Sequence, residues 1–172
     1  FYIVIAGIPL SIGSAAMLIP NYLYMMELGL TNKWYTLILL YTAYNLPMAI
    51  WIMKGGIEAI PLEIEDAALI DGCSRAYIIG RLIPRLILPS IASSALFLFI
   101  GAWNEFITAA VMIDSPELRS IQVVIYYFRG FFGTDWGALM ASAMIAVLPI
   151  LVVFSFLGKL MVSGLTQGAV KG

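Results

Sequence analysis

The sequence predicts an all-α, polytopic membrane helix bundle, and the amount and the spacing of its charges carry that prediction. Hydrophobic residues make up 62% of the 172-residue chain and charged residues only 11%, less than half of the roughly 25% typical of soluble proteins. The charges also cluster, which leaves four long windows without any. A helix needs about 20 apolar residues to cross the hydrocarbon core of a bilayer, and each window approaches or exceeds that length. The windows are residues 1–26, 34–53, 86–104 and 136–158.

Four spans follow from these windows, and we assign all of them to one transmembrane domain, residues 1–172. Prolines lie inside the windows, which a bundle tolerates because neighbouring groups bond the backbone carbonyls that proline leaves free. The chain begins in an apolar run with neither an initiator methionine nor a basic segment, so we expect that an N-terminal part of the protein is missing. The expected spans are about residues 1–20, 34–53, 86–113 and 136–160.

The composition excludes several classes of function. A net charge of −1 and the lack of a basic run argue against a nucleic-acid partner. One cysteine and no histidine leave no internal disulfide, no cysteine- or histidine-based metal site and no histidine-based catalysis. The sequence also lacks a G-x-x-x-x-G-K-[ST] phosphate loop. We therefore predict a non-enzyme with no catalytic residue, no metal and no bound cofactor.

Lysine and arginine residues set the expected orientation, because they favour the cytoplasmic side of a membrane. Four spans place the polar loop 54–85 and the C-terminal tail 161–172 on the same side. That side carries six of the nine basic residues, against three on the other. The bias predicts that both segments are cytoplasmic. The six residues are Lys54, Arg75, Arg81, Arg85, Lys159 and Lys171.

The loop 54–85 concentrates acidic and small residues that neither a buried core nor a bilayer would accept. Pro61 suits the first turn of a helix, where its missing N–H costs nothing. Carboxylates in the following turn lie near the positive end of the helix dipole. Gly72 is placed to end the helix in the left-handed conformation, and Ser74 to cap a second helix. The pattern predicts a short helix, a tight turn and another helix outside the membrane.

Three stretches of the sequence together resemble one family. They are IPLEIEDAALIDG at 60–72, FLFIGAWNEF at 97–106 and the ending GLTQGAVKG. Each is similar to a motif of the permease subunits of ABC importers, and more narrowly of carbohydrate importers of the maltose and glycerol-phosphate type. The similarity covers essentially the whole chain. Because members of that family have six spans, the resemblance implies that the first two are absent from this sequence.

The resemblance implies that the loop carries a coupling helix, which docks on a separate ATPase subunit that uses the ATP. The motif's glutamate is replaced here by an aspartate, which is one methylene shorter. The other implied partners are a second permease subunit, an extracytoplasmic solute-binding protein and the lipid bilayer of a bacterial or archaeal inner membrane. The implied ATPase-coupling residues are Glu65, Asp66, Ala67, Ala68, Asp71 and Gly72.

Asn104 and Glu105 interrupt the third window near its outer end. Polar side chains are costly against lipid, so we expect them to face the bundle interior or a water-filled cavity. Together with the Trp103 indole they could match the hydroxyls and ring face of a sugar on its path. Two alternatives stay open: the pair ties neighbouring helices together, or Glu105 serves an ion-gradient-driven secondary transporter.

Two further interpretations concern an enzyme alternative and the tail. DGCSRA resembles the start of the Asp-Gly signature of membrane CDP-alcohol phosphotransferases. However, Arg85, Pro89 and Ser93 stand where those enzymes need metal-binding aspartates.

The small residues after 160 predict a flexible extension rather than a helix, and the resemblance implies that it reaches the ATPase dimer. The residues expected to make that contact are Gly164, Leu165 and Gly168.

Overall fold

The computed structural model describes residues 14–130 and 133–168, and side chains within 16–129 and 133–161. This part of the chain is predominantly helical, with one short antiparallel hairpin that pairs Arg129 with Thr134. The α-helices are α1 Ser14–Glu27, α2 Trp34–Glu58, α3 Leu62–Ile70, α4 Arg75–Tyr77, α5 Ile83–Leu86, α6 Leu88–Trp103, α7 Ile107–Met112, α8 Ile121–Tyr127 and α9 Trp136–Gly168. A π-helix, Ile78–Leu82, joins α4 to α5, a 3₁₀-helix spans Pro116–Leu118, and the strands are β1 Arg129–Gly130 and β2 Gly133–Thr134.

Two helices of the described chain are long and apolar enough to cross a bilayer, judged by length and composition: Trp34–Glu58 and the Trp136–Met161 part of α9. A third span results if Arg75–Leu86 and Leu88–Trp103 are taken together, although the two pieces meet at a bend of 69°. The described residues therefore contain two or three candidate spans, which fits a helical membrane protein. Most of the expected first span, residues 1–20, lies outside the described residues.

Helix α1 continues beyond the expected end of the first span. The segment 21–33 was expected to be a connection, yet the helix includes Pro20 and ends at Glu27. Gly29 then takes a φ of +62°, and the Leu30 N–H donates to the Met25 carbonyl at 2.8 Å, which is the pattern of a glycine-ended helix. Met25 is buried in a cluster with Leu40 and Met112, so tertiary packing stabilises the extra turn.

Helix α2 also extends beyond its expected span, 34–53, by more than one turn. It ends at Glu58, and the Lys54 ammonium forms an ion pair with the Glu58 carboxylate one turn later. Such i,i+4 pairs support a helix end by a few tenths of a kcal/mol. The first five residues of the polar loop 54–85 thus continue the helix.

The expected third span, 86–113, is not one straight helix. Its start is bent at Ile87, next to Pro84 and Pro89, which lack the N–H groups that would bond Gly80 and Arg85. The π-helix before Pro84 fits the same cause, because the Ile83 N–H bonds back five residues to Ile78. The span then breaks at residues 104–106, between α6 and α7.

The expectation of a flexible extension after residue 160 is wrong for residues 161–168, which continue α9. A glycine in a helix interior costs only about 1 kcal/mol relative to alanine. No proline follows Pro149 in the helix, so nothing in the local sequence stops a helix that is already formed. Residues 169–172 lie outside the described chain.

The chain divides into two compact units, residues 1–47 with 99–152, and residues 48–98 with 153–172. In the first unit, Asn32 holds two loops together: its side-chain oxygen accepts the N–H groups of Asp114 and Ser115 at 3.1 and 2.9 Å. In the second unit, α2 and α6 approach closely, because a Cβ added at Gly56 would lie 2.3 Å from Ser90 Oγ.

Candidate functional site

Helix α3 and the turn after it carry the acidic cluster that the sequence singled out. No residue of α3 is buried within the described chain. Two of its apolar side chains are far more exposed than folding alone would favour, Leu62 at 74% and Ile70 at 86%. Packing within the chain therefore does not account for these apolar side chains. Large exposed apolar side chains are typical of an interaction surface.

The turn after α3 has the geometry that the sequence predicts. Gly72 takes a φ of +81°, where a Cβ would be strained. The Cys73 N–H donates to the Ala68 carbonyl and the Gly72 N–H to the Leu69 carbonyl, both at 3.0 Å. These two bonds form the Schellman ending of a helix. The helix is therefore closed by a defined turn rather than by a loose end.

The second helix of the loop begins as expected at Ser74. The Ser74 hydroxyl accepts the Tyr77 N–H at 3.2 Å, which satisfies one backbone donor of the first turn. Pro61 differs slightly from its expected place, since it lies one position before α3 and acts as its N-cap residue. Gly72 and Cys73 alone separate the C-cap residue Asp71 from the N-cap residue Ser74, so α3 and α4 are joined by a very short connection.

The coupling residues implied by the resemblance lie together on this exposed segment. Glu65 is in the first turn of α3. Ala67 is exposed and Ala68 half-buried, while Asp71 is the C-cap residue. Beside the helix lies a groove of about 390 Å³ with mainly apolar walls. Its walls include Ile57, Ile60, Ile64, Ile78, Leu82 and Leu86.

Glu105 lies at the break in the third expected span, and its carboxylate accepts three hydrogen bonds. Oε2 accepts the Tyr41 hydroxyl at 2.9 Å and the Ala109 N–H at 3.2 Å. Oε1 accepts the Thr108 N–H at 2.8 Å. The side chain thus caps α7 and links it to α2. A carboxylate at a helix N-terminus is stabilised by the exposed N–H groups and the helix dipole.

Trp103 and Asn104, which precede Glu105, differ in how much of their hydrogen-bonding and stacking capacity is used within the protein. The Trp103 indole N–H donates to the Ala146 carbonyl at 3.0 Å, and its ring stacks on Phe99 at 5.6 Å between centroids. Asn104 is exposed, donates to the Ile100 carbonyl at 3.0 Å and faces the Gln122 amide at 3.5 Å. Of the three residues expected on a substrate path, Asn104 alone has a side chain classed as exposed.

Sequence reasoning missed two residues of this region, Tyr41 and Gln122. Tyr41 lies inside a charge-free window, where an aromatic residue carries no signal of a carboxylate partner 64 positions away. Gln122 lies on α8, between the third and fourth expected spans, and its partner Asn104 is 18 positions away in the sequence. The expected ATPase contacts of the C-terminal tail lie on α9, beyond the residues whose side chains the structure describes. They are Gly164, Leu165 and Gly168.

The described chain is thus a helical protein of membrane-spanning composition with an exposed, tightly capped helix outside its candidate spans. The profile of one protein family, described as the binding-protein-dependent transport system inner membrane component, matches residues 1–167. The chain belongs to that family.

Three relatives are similar over most of this chain. The diacetylchitobiose uptake system permease protein DasC of Streptomyces coelicolor is 37% identical over 91% of it. The trehalose/maltose transport system permease protein MalG of Thermococcus litoralis is 35% identical over 87%, and the maltodextrin transport system permease protein MdxG of Bacillus subtilis is 34% identical over 100%. The aligned parts cover 56%, 54% and 61% of these relatives, so the chain spans a little over half of their length.

Proposed function

We propose that this chain is part of a permease subunit of an ATP-driven, binding-protein-dependent importer of sugars or sugar derivatives. The exposed helix α3 carries the proposal, because a permease of this family needs a contact through which a separate ATPase changes the conformation of the membrane-spanning helices. The sugar class is supported by the relatives, three of which are named for the uptake of diacetylchitobiose, the transport of trehalose and maltose, and the transport of maltodextrin.

In this mechanism α3 is the contact with the ATPase, and the residues of the coupling motif act through its surface. The exposed apolar side chains Leu62 and Ile70 would bury against the ATPase, and Glu65, Asp66 and Asp71 would set the orientation of docking through charge. The exposed Ala67 allows the partner's backbone to come close. ATP is bound and hydrolysed on the partner, and this chain supplies no residue to that reaction.

The capped turn between α3 and α4 is what would make the contact useful for transport. Because the connection between α3 and α4 is short and both helix ends are closed by their own hydrogen bonds, a displacement of α3 would pass to α4, the π-helix and α5. A flexible loop would absorb the same displacement. We propose that the ATPase pair switches the permease in this way, with the loop 54–85 on the cytoplasmic side and four spans, of six in the whole protein, in this chain.

The substrate path and the end of α9 are further parts of the proposal. Asn104 is the residue of the 103–105 group best placed to meet a sugar, since Trp103 and Glu105 already bond the protein. The end of α9, with Gly164, Leu165 and Gly168, would contact the ATPase dimer as a helix. The remaining partners are a second permease subunit and an extracytoplasmic solute-binding protein.

The gradient-driven alternative is not supported. The chain belongs to a family of binding-protein-dependent transport components. Glu105, on which that alternative depended, accepts three hydrogen bonds in the fold.

The coupling proposal is tested by Ala67→Trp in the full-length permease within its assembled transporter. An indole on α3 should block close approach, so the ATPase subunit should fail to co-purify and ATP-driven sugar uptake should be lost. Ala95→Trp is the matched control, because Ala95 is an exposed alanine of α6, far along the chain from α3. Wild-type co-purification and uptake in Ala67→Trp would contradict a coupling role for α3.

A further inference from the structure

A cavity of about 350 Å³ lies in the first unit, next to the contact between Gln122 and Asn104. Its walls come from the start of α7, from α8 and the strand after it, and from the first turns of α9. We call it the α8–α9 pocket and define it by six of the residues that line it. They are Phe106, Gln122, Tyr126, Arg129, Leu139 and Met140.

The apolar part of the pocket is built from two aromatic rings and a buried leucine. The rings of Phe106 and Tyr126 lie 5.3 Å apart between centroids, at an angle of 50°. Leu139, which also lines the pocket, is buried. Two tilted rings offer electron-rich faces to the weakly positive C–H groups of a ligand. The C–H face of a sugar ring has that character and is flat enough to lie on such a surface.

The polar part of the pocket has hydrogen-bonding capacity that the fold leaves largely unused. The Gln122 amide meets only the Asn104 side chain, at a long 3.5 Å. The Arg129 guanidinium makes no ion pair and no hydrogen bond with the residues that the structure describes. A guanidinium presents five N–H donors in a fixed plane, and an amide offers a donor and an acceptor. Together they match adjacent hydroxyl groups, which both donate and accept.

We propose that the α8–α9 pocket binds one sugar ring of the transported molecule. The inference rests on the proposed function and names a site for its substrate. Ligand pockets measure roughly 300–1,000 Å³ and combine apolar walls with a few polar groups. The α8–α9 pocket lies at the lower end of that range, which suits a single ring of a longer sugar. Tyr126 and Phe106 supply the stacking surface, and Gln122 and Arg129 supply the hydroxyl contacts.

The test uses protection of a thiol in the pocket wall. The full-length permease, assembled with its ATPase and partner permease in nanodiscs, carries Cys73→Ser and Met140→Cys and is otherwise free of reactive cysteines. A polar maleimide labels the new thiol with and without maltose, trehalose or diacetylchitobiose, each tested singly. With the free sugar concentration at about ten times the dissociation constant, about nine tenths of the sites are filled, so labelling should slow about tenfold.

Two matched controls separate binding in the pocket from general effects. Met144→Cys lies one turn further along α9 and is also exposed, at 73% against 54% for Met140, but Met144 does not line the pocket; its labelling should not change. Tyr126→Ala should raise the sugar concentration needed for half-protection several-fold. Tyr127→Ala should raise it less, because Tyr127 does not line the pocket; its ring contacts the Arg119 guanidinium at 4.4 Å and the edge of the Tyr126 ring at 6.4 Å between centroids.

ATP-driven uptake of the same sugars is measured in parallel, which distinguishes failure of the pocket inference from failure of the proposed function. If a sugar is transported but leaves the labelling of Met140→Cys unchanged, the pocket inference is wrong while the proposed function stands. If Met140→Cys fails to react even without sugar, another subunit or lipid covers the pocket, and the inference is also wrong. If no sugar is taken up with ATP, the proposed function itself fails and the inference with it.

Discussion

Gly56 offers a quantitative test of how closely α2 and α6 approach. A Cβ at this position would lie 2.3 Å from Ser90 Oγ and 2.6 Å from Ser90 Cβ, which is about 0.9 Å or more inside the ordinary van der Waals contact of about 3.5–4 Å. The Ser90 Cβ is fixed to the helix backbone, so a rotamer change cannot relieve the overlap. Gly56→Ala must therefore push the two helices apart.

The neighbouring Gly55 provides the matched control, because a Cβ added there meets nothing within 4 Å. Replacing either glycine by alanine should gain roughly 0.5–1 kcal/mol of helix stability. Overpacking a well-packed contact costs about 1–3 kcal/mol. Gly55→Ala should thus stabilise the protein slightly, and Gly56→Ala should be less stable than Gly55→Ala by about 1–3 kcal/mol.

A double-mutant cycle assigns the difference to Ser90. Ser90→Gly removes both atoms that the new Cβ would meet, so the double variant should recover the stability that Gly56→Ala loses. Ser90→Ala should rescue less, because its Cβ remains. The assay is equilibrium unfolding of the purified full-length permease in mixed micelles. Equal stabilities of the two alanine variants, or a cycle additive within about 0.5 kcal/mol, would refute the close approach.

Two further predictions concern orientation and the break in the third expected span. Native Cys73 should resist a membrane-impermeant thiol reagent in intact cells and react in inverted vesicles, and labelling from outside would reverse the proposed orientation. Glu105→Gln should lower the free energy of unfolding by about 1–3 kcal/mol, because an amide nitrogen cannot accept the N–H groups that the carboxylate caps. The same variant should keep ATP-driven uptake without an ion gradient, and an undiminished stability with abolished uptake would instead indicate a proton relay.

The amino-acid sequence determined the features that depend on neighbouring residues alone. The apolar windows predict candidate spans because the solvation of a helix in lipid depends on its own side chains. The end of α3 at Gly72 and the cap at Ser74 were predictable for the same reason, since each rests on hydrogen bonds within six residues. One of the three family motifs, IPLEIEDAALIDG at 60–72, lies on this locally encoded segment, and all three could be recognised from the sequence alone.

Only the tertiary structure decided where the helices break, lengthen and touch. Glu105 caps α7 and bonds Tyr41, 64 positions away, and no local rule predicts such a partner. Helix α1 extends to Glu27 because Met25 is buried against Leu40 and Met112. Gly56 and Ser90 are 34 positions apart in the sequence. Such contacts depend on which helix faces meet, and their stability comes from packing between distant segments rather than from the propensity of either segment alone.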